Sequence, residues 1–326
     1  MSGKPTVVST FAGCGGSSLG YKWAGFHELL AIDFEPHAVE TFKLNFPGVD
    51  VWQADIRKVS AESILERCGI EKGVLDVLDG SPPCQGFSTA GKRQVSDARN
   101  DLAWEFIRLI EGLHPRAFVM ENVSGMAKGG MRGRFNEILA GLKATGYHVE
   151  VKKLNAMYYG VPQSRERIIF IGMRDGQEIE WPAHSNEKPI TVREALQGCK
   201  DIDAPPLPGW LVEAAHLMEA GNYSGTNAEK AFIKVRGKRT GSMNTKLLSW
   251  NRESCTLMKS EIAATGIIHP SKKRYLSIGE MKRLTSFTDE FILEGNRSQQ
   301  IARLGNAVPP KMMQAIAECV RVVLDG

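Results

Sequence analysis

The chain has 326 residues, of which 42% are hydrophobic and 24% charged, and its formal net charge is +4 at pH 7. This composition excludes disordered, collagen-like and coiled-coil proteins, and no apolar run reaches the roughly 18 residues of a membrane span. The length allows one large core and a second, smaller domain. The six cysteines are scattered, without a C-x-x-C pair, which predicts reduced thiols, no metal site and a cytoplasmic location.

The first half of the chain alternates strand-like and helical patterns. Such alternation is typical of βαβ units and predicts an α/β fold with a doubly wound parallel sheet. The expected strands are Thr6–Phe11, Leu29–Ile32, Val49–Gln53, Val74–Leu78 and Ala117–Met120, and the expected helices are one from about Ser17, Pro36–Asn45, Ala61–Cys68, Asp101–Glu111 and Phe135–Thr145.

The alternation then ends. Tyr147–Leu154 and Arg167–Met173 are strand-like with no helix between them, so the second is expected to return antiparallel at the sheet edge. Prolines from Trp181 onwards indicate an irregular region, and helical patterns return near Ile278–Thr285 and Pro310–Leu324. We therefore predict a discontinuous large domain, residues 1–181 plus 300–326, interrupted by a small domain, residues 182–299.

Positive charge is concentrated in the small domain. Between Lys230 and Arg274 there are eleven lysines and arginines against two glutamates, whereas the rest of the chain is net negative. A basic module on an acidic body predicts a polyanionic partner, although a solvated basic face would give the same pattern.

A glycine-rich turn, Phe11–Ser17, follows the first strand. Its glycines (Gly13, Gly15 and Gly16) allow close approach of a ligand, and an acid twenty residues on, Asp33, could bind ribose hydroxyls. Ser18 stands where a nicotinamide fingerprint has its third glycine. The turn by itself predicts a nucleoside cofactor without saying which.

A cysteine, Cys84, follows the fourth strand directly after Pro82 and Pro83, which keep the backbone extended. The carboxyl ends of strands in open α/β sheets border the ligand crevice, so this thiol is a candidate nucleophile rather than a buried apolar side chain. The next strand ends in an acid, Glu121, at the same edge. Past the cysteine, Thr89–Arg99 is polar and basic and is expected to form a lid.

Five motifs in order make these features specific. The set resembles the DNA cytosine-5 methyltransferase family over nearly the whole chain except about Trp181–Trp250. The motifs are Phe11–Gly16, Pro83-Cys84-Gln85, Glu121-Asn122-Val123, Gln163-x-Arg165-x-Arg167 and Gly305-Asn306-Ala307-Val308-Pro309.

The resemblance implies a methyltransferase (Rossmann-like) sheet, a basic target-recognition domain and S-adenosylmethionine as cofactor, without a metal. It implies that Cys84 bonds to cytosine C6 and that Glu121 contacts N3 and the exocyclic amine. The implied arginines, Arg165 and Arg167, hold the site and contact cytosine O2. The cofactor-binding candidates are Phe11, Gly13, Gly15, Gly16, Asp33 (ribose), Phe34 (adenine stacking), Asp55 (adenine amine), Ile56, Pro82 and Asn306. Asp33 stands where a glutamate is usual, and Thr288 where proline is common.

Duplex DNA is the implied partner, bound by a monomer in the bacterial nucleoid. The resemblance also implies a functional partner, a restriction endonuclease that acts on the same site without being bound. The DNA-binding candidates are Lys92, Arg93, Lys234, Arg236, Lys238, Arg239 and Arg252. Three alternatives stay open: methylation of tRNA by a relative of the same family, a non-catalytic DNA-binding protein, and a nicotinamide oxidoreductase. The DNA-type sequence Gly86-Phe87-Ser88 disfavours the first, the intact pair of Cys84 and Glu121 the second, and Ser18 the third.

Overall fold

A computed structural model describes residues 3–83, 102–185, 188–201, 203–238, 245–259 and 266–326. The chain divides into two compact units. One comprises Met1–Leu154, Glu166–Ala183 and Met312–Gly326, and the other Asn155–Arg165 and His184–Lys311. The predicted pair of domains with boundaries at 181 and 300 is kept as a proposal.

The first unit is built on a seven-stranded sheet in the order β3-β2-β1-β4-β5-β7-β6. Its strands are β1 (Thr6–Thr10), β2 (His27–Asp33), β3 (Asp50–Gln53), β4 (Val77–Gly80), β5 (Ala117–Val123), β6 (His148–Asn155) and β7 (Glu166–Met173). The helices of this part of the chain are α1 (Gly16–Trp23), α2 (Pro36–Asn45), α3 (Ala61–Cys68), α4 (Leu102–Leu113) and α5 (Arg132–Ala144).

The predicted doubly wound sheet is confirmed. The first five strands pair in parallel, and β7 pairs antiparallel with β5. The strand direction therefore reverses in the part of the chain where strand and helix patterns cease to alternate. The antiparallel strand lies one place inside the edge, because β6 is the outermost strand.

One core joins α3, α4 and α5 to the sheet. Phe106 and Ile110 of α4 pack with Phe118 of β5 and with Leu142 of α5, all fully buried. Because side chains alternate along a strand, Val7 and Ala31, which are also fully buried, belong to the opposite face. The fourth strand begins later than predicted, because Val74 lies in a turn and is 55% exposed.

The second unit contains more helix than the sequence predicted. Its helices are α6 (Val192–Leu196), α7 (Gly209–Leu217), α8 (Gly225–Arg236), α9 (Ile278–Leu284) and α10 (Arg297–Asn306), and its strands are β8 (Lys246–Leu247) and β9 (Ile267–Ile268). The last helix, α11 (Pro310–Asp325), begins at the end of this unit. The interpretation of the proline-rich stretch as irregular is therefore wrong for α6 to α8, where Leu211 and Phe232 anchor a small core.

No helix in the described ranges is long and apolar enough to cross a membrane. Within the same ranges, no group of three or more His, Cys, Asp or Glu residues could hold a metal ion.

Two acids are buried beneath the glycine-rich turn. Glu28 of β2 accepts a hydrogen bond from the Ser18 hydroxyl at 2.8 Å, and Asp79 of β4 accepts one from the Tyr21 hydroxyl at 3.3 Å. Burial raises the pKa of Glu28 from 4.5 to about 7, and burial followed by the charge of Glu28 raises the pKa of Asp79. The folded protein therefore retains a proton on Glu28 that the unfolded chain releases.

This retained proton predicts a pH-dependent stability. Wild-type stability falls as the pH rises from 4.5 through about 7, because the unfolded chain loses the proton first. Glu28→Gln does not titrate at this position. The free energy of unfolding of the variant minus that of wild type should therefore rise by up to about 3 kcal/mol from pH 5 to pH 8. Urea unfolding at the two pH values measures this gain.

The control is Glu40→Gln, which makes the same chemical change at an exposed position of α2. A difference between Glu28→Gln and wild type that is equal at both pH values would rule out the retained proton.

Candidate active site

The glycine-rich turn between β1 and α1 is held in a conformation that few side chains adopt. Phe11, Gly13 and Gly15 have φ angles of 54°, 56° and 92°. A Cβ atom at Gly15 would lie 2.4 Å from the Phe46 ring, so both the backbone and the packing require glycine there. The turn follows the end of β1, so its backbone lies at the carboxyl edge of the sheet.

The predicted ribose acid is attached to this turn. The Asp33 carboxylate accepts hydrogen bonds from the backbone N–H groups of Gly13 and Glu35, each at 2.8 Å. The neighbouring ring, Phe34, is 70% exposed, which is unusual for phenylalanine and leaves a face available for stacking. An acid fixed beside an exposed aromatic ring fits the adenosine part of a nucleoside cofactor.

The predicted adenine acid, Asp55, is bound by a residue that the sequence analysis did not single out. Arg57 donates its backbone N–H to Asp55 Oδ1 at 3.1 Å and its guanidinium to both carboxylate oxygens at 2.6–3.1 Å. These hydrogen bonds lower the pKa of Asp55 and keep it ionised. Ile56 between them is buried. Only the spacing of two residues from Asp55 could have indicated Arg57.

The chain that leads to the predicted nucleophile is attached at two points. The Ser81 hydroxyl donates to the Phe11 carbonyl at 3.4 Å, and the Asn122 side-chain amide donates to the Pro82 carbonyl at 3.0 Å. The structure therefore brings the last described residues before Cys84 next to both the glycine-rich turn and the Glu121-Asn122-Val123 motif. Cys84, Lys92, Arg93 and Arg239 lie outside the described residues.

The candidate acid, Glu121, is fixed by an arginine on the antiparallel strand. Arg167 Nε lies 2.5 Å from Glu121 Oε1 in an ion pair between two side chains that are only 12% and 10% exposed. The ladder explains the pairing, because Arg167 stands opposite Val123, two residues from Glu121 and on the same face. Arg167 also donates to the Glu166 carbonyl at 2.8 Å.

The other predicted arginine has different partners, all in the second unit. Arg165 is 1% exposed and donates to the carbonyls of Leu257 at 3.3 Å and Gly305 at 2.9 Å. A Cβ atom at Gly305 would lie 2.5 Å from the backbone of Met258, so only glycine permits this approach. Asn306, the last residue of α10, follows directly and is exposed.

Contacts within the second unit also fix the segment from Arg252 to Thr256. Ser164 donates its backbone N–H to the Ser254 carbonyl at 2.8 Å, and Ser254 donates its own to the Pro162 carbonyl at 2.9 Å. The Thr256 hydroxyl donates to the Ser164 carbonyl at 2.7 Å. The fully buried amide of Gln163 accepts from Leu257 N and donates to the Leu284 carbonyl. Arg165 is thereby placed by its neighbours on both sides.

The predicted DNA-binding residues of the second unit fall into two groups. Lys234, Arg236 and Lys238 are exposed, with the Arg236 guanidinium 4.7 Å from the centre of the Trp210 ring. Arg252 instead donates to the Gly221 carbonyl at 2.8 Å and to Glu253 at 2.9 Å, and lies over the Tyr223 ring. Its guanidinium therefore holds together parts of its own unit.

Comparison with known proteins shows the family of the chain. The model of the C-5 cytosine-specific DNA methylase family matches residues 6–321. The Type II methyltransferase M1.HphI of Haemophilus parahaemolyticus is 36% identical over 334 residues, covering 97% of this chain and 86% of the relative. The Type II methyltransferase M.Eco47II of Escherichia coli is 32% identical, covering 98% and 79%.

Solved structures support the same fold. A crystal structure assigned as a prophage-encoded DNA modification methyltransferase of Escherichia coli has a TM-score of 0.77 and 25% identity, covering 99% of this chain and all of the other. The DNMT2 protein of Spodoptera frugiperda has a TM-score of 0.70 at 18% identity, covering 98% of this chain and all of the other, which shows the fold alone. The family model spans all five sequence motifs, and the chain belongs to the C-5 cytosine-specific DNA methylase family.

Proposed function

We propose that this enzyme methylates carbon 5 of a cytosine that is flipped out of a specific duplex DNA sequence. The methyl donor is S-adenosylmethionine, and the reaction passes through a covalent bond between Cys84 Sγ and cytosine C6. The observation that carries the proposal is the pairing of Glu121 with Arg167 beside Asn122, whose side chain is hydrogen-bonded to the backbone two residues before Cys84.

The chemistry requires a nucleophile and an acid at one edge of the sheet. Cytosine C5 is a poor nucleophile until the Cys84 thiolate adds to C6, which makes C5 enamine-like. C5 would then take the methyl group, leaving S-adenosylhomocysteine. Loss of the C5 proton to solvent would supply the electron pair that breaks the C6–S bond and releases the thiolate. A free thiol is only a few per cent ionised near pH 7, and its addition leaves negative charge on the base. A proton taken from solvent at N3 would neutralise that charge, and the Glu121 carboxylate would accept from the N3–H and so favour the adduct.

Residues of the first unit would hold the cofactor. Asp33 would bind the ribose hydroxyls, Phe34 would stack on the adenine, and Asp55, kept ionised by Arg57, would accept from the adenine amine. The backbone of Phe11, Gly13, Gly15 and Gly16 would lie along the amino-acid part, with Ile56 and Pro82 nearby. When bound, S-adenosylmethionine supplies an electrophilic methyl group on a sulfonium. The resemblance also assigns Asn306 to the cofactor, and this stays a proposal.

Arginines position the acid and its surroundings. Arg167 holds the Glu121 carboxylate at a fixed orientation, and both side chains are largely buried, so less reorganisation is needed as charge develops on the base. Arg165 fixes the backbone of Leu257 and Gly305. A contact of either arginine with cytosine O2 remains a proposal.

Flipping the base costs a few kcal/mol of pairing and stacking, which contacts with DNA must repay. We assign this role to the second unit, whose exposed cations would bind phosphates while other side chains read bases. An endonuclease that cuts the same sequence would be a functional partner without being bound.

Bisulfite sequencing of a host genome that expresses the protein tests the function directly. We expect one short sequence to be protected from conversion throughout the genome. Parallel assays of radioactive methyl transfer to duplex DNA and to tRNA distinguish the main alternative. Transfer to tRNA alone would contradict the proposal.

We predict that Cys84→Ser abolishes methyl transfer, by at least about 10³-fold, while binding of cofactor and DNA is retained, because only addition to C6 is removed. Wild type should form an adduct with duplex containing 5-fluorocytosine that survives denaturation, since fluorine cannot leave as a proton. Denaturing gels with labelled duplex measure the adduct.

The matched control is Cys68→Ser, which removes a half-buried thiol whose pKa burial raises to about 11. It should form the adduct as wild type does. An adduct formed by Cys84→Ser would place the nucleophile elsewhere.

Two exposed lysines, Lys234 in α8 and Lys238 just after the helix, are predicted to bind phosphates. Ala228, Ala231 and Phe232 bury one side of this helix, and Lys234 and Lys238 are exposed. Lys234→Ala/Lys238→Ala should weaken binding of all DNA sequences alike and lower the slope of log affinity against log salt by about two, one for each lost contact. Salt titrations on cognate and unrelated duplexes measure both effects.

A double variant, Lys72→Ala/Lys143→Ala, is the control for charge alone. Lys72 precedes β4 and Lys143 ends α5, so both exposed lysines lie at the sheet edge opposite the candidate site. If the α8 variant has the slope of the control and of wild type, this face of α8 does not contact DNA.

A further inference from the structure

The segment that follows the candidate acid is basic and rich in glycine. It runs from Ser124 to Arg134, between the end of β5 and the first turn of α5, as two short 3-10 turns. Its sequence, SGMAKGGMRGR, contains four glycines, three cations and no acid. Both the composition and the position, directly after Glu121-Asn122-Val123, need an explanation.

The glycines are not explained by packing within the described residues. A Cβ atom at Gly125, Gly129, Gly130 or Gly133 would meet no atom within 4 Å. Only Gly129, with a φ of 53°, needs glycine for its backbone conformation. Since glycine loses more backbone freedom on folding than alanine does, open glycines suggest that something outside the chain approaches the backbone.

The positions of the cations are also electrostatically unfavourable. Lys128 and Arg132 are exposed, and Arg134 has a 3.6 Å contact with Glu137. Arg132 and Arg134 stand in the first turn of α5, where the positive end of the helix dipole disfavours further positive charge. No side chain caps this helix end, because the residue before it is Met131. An anionic partner would offset these costs together.

We infer that Ser124–Arg134 binds the phosphodiester backbone of DNA beside the target cytosine, through Lys128, Arg132 and the exposed backbone. This inference rests on the proposed function. A base held at Glu121 brings its own phosphates to the same edge of the sheet, where this segment begins three residues later. Glycines let a phosphate approach the main chain closely, and the cations replace its counterions. The segment thus gives the first unit a contact with DNA that does not depend on the DNA sequence.

The test is a salt titration of duplex binding by Lys128→Ala/Arg132→Ala. We expect the slope of log affinity against log salt to fall by about two and affinity to fall at least tenfold near physiological salt, for all sequences alike. Affinity for S-adenosylmethionine should be unchanged. The charge control, Lys72→Ala/Lys143→Ala, should keep the wild-type slope.

A second variant, Gly130→Glu, keeps the inference testable if the double variant folds poorly. The added side chain meets open space, so the melting temperature should be unchanged, while the negative charge should weaken DNA binding at least tenfold. Wild-type slope and affinity in both folded variants would overturn the inference. A wild-type enzyme that methylates tRNA and not DNA would instead contradict the proposed function.

Discussion

The ion pair between Arg167 and Glu121 is the interaction on which the candidate site depends. It exists because β7 runs antiparallel to β5 and places Arg167 on the same face as Glu121, within the reach of one long side chain. If the strand ran parallel to β5, its first residues, including Arg167, would lie at the opposite edge of the sheet from Glu121. The reversal of direction therefore brings an arginine from the start of one strand to a carboxylate at the end of its neighbour.

The cofactor and nucleophile sides of the first unit are joined by short-range contacts. Phe11, in a left-handed conformation, accepts from Ser81, and Asn122 donates to Pro82. The glycine-rich turn is also bonded to the end of β2, because the Gly13 N–H donates to the Asp33 carboxylate. The ends of four strands, β1, β2, β4 and β5, are thus linked by hydrogen bonds around the chain that leads to Cys84. Small residues and hydrogen-bonding side chains at strand ends, rather than large apolar ones, are what this arrangement needs.

Local signals in the sequence predicted much of the fold but not all of the site. Pro36 and the periodic apolar positions placed α2 and α3 at their observed bounds, and the missing helix after Tyr147 predicted the antiparallel strand. Helices α7 and α8 were missed because prolines and charges dominate the local pattern, whereas the small core around Phe232 depends on tertiary packing. For the same reason nothing in the sequence showed that Arg252 contacts Gly221. The contact of Arg57 with Asp55 is local, and only the spacing of two residues could have indicated it.

The most direct test of the account is a double-mutant cycle on the central ion pair. Single-turnover methyl transfer to duplex DNA is measured for Glu121→Gln, Arg167→Gln and the double variant, with melting temperatures as a check on folding. If Arg167 acts by positioning Glu121, each single change should slow transfer by about 10²-fold or more, and the double variant should be little slower than the slower single one. Effects that multiply in the double variant would show that the two residues act independently and would contradict the account.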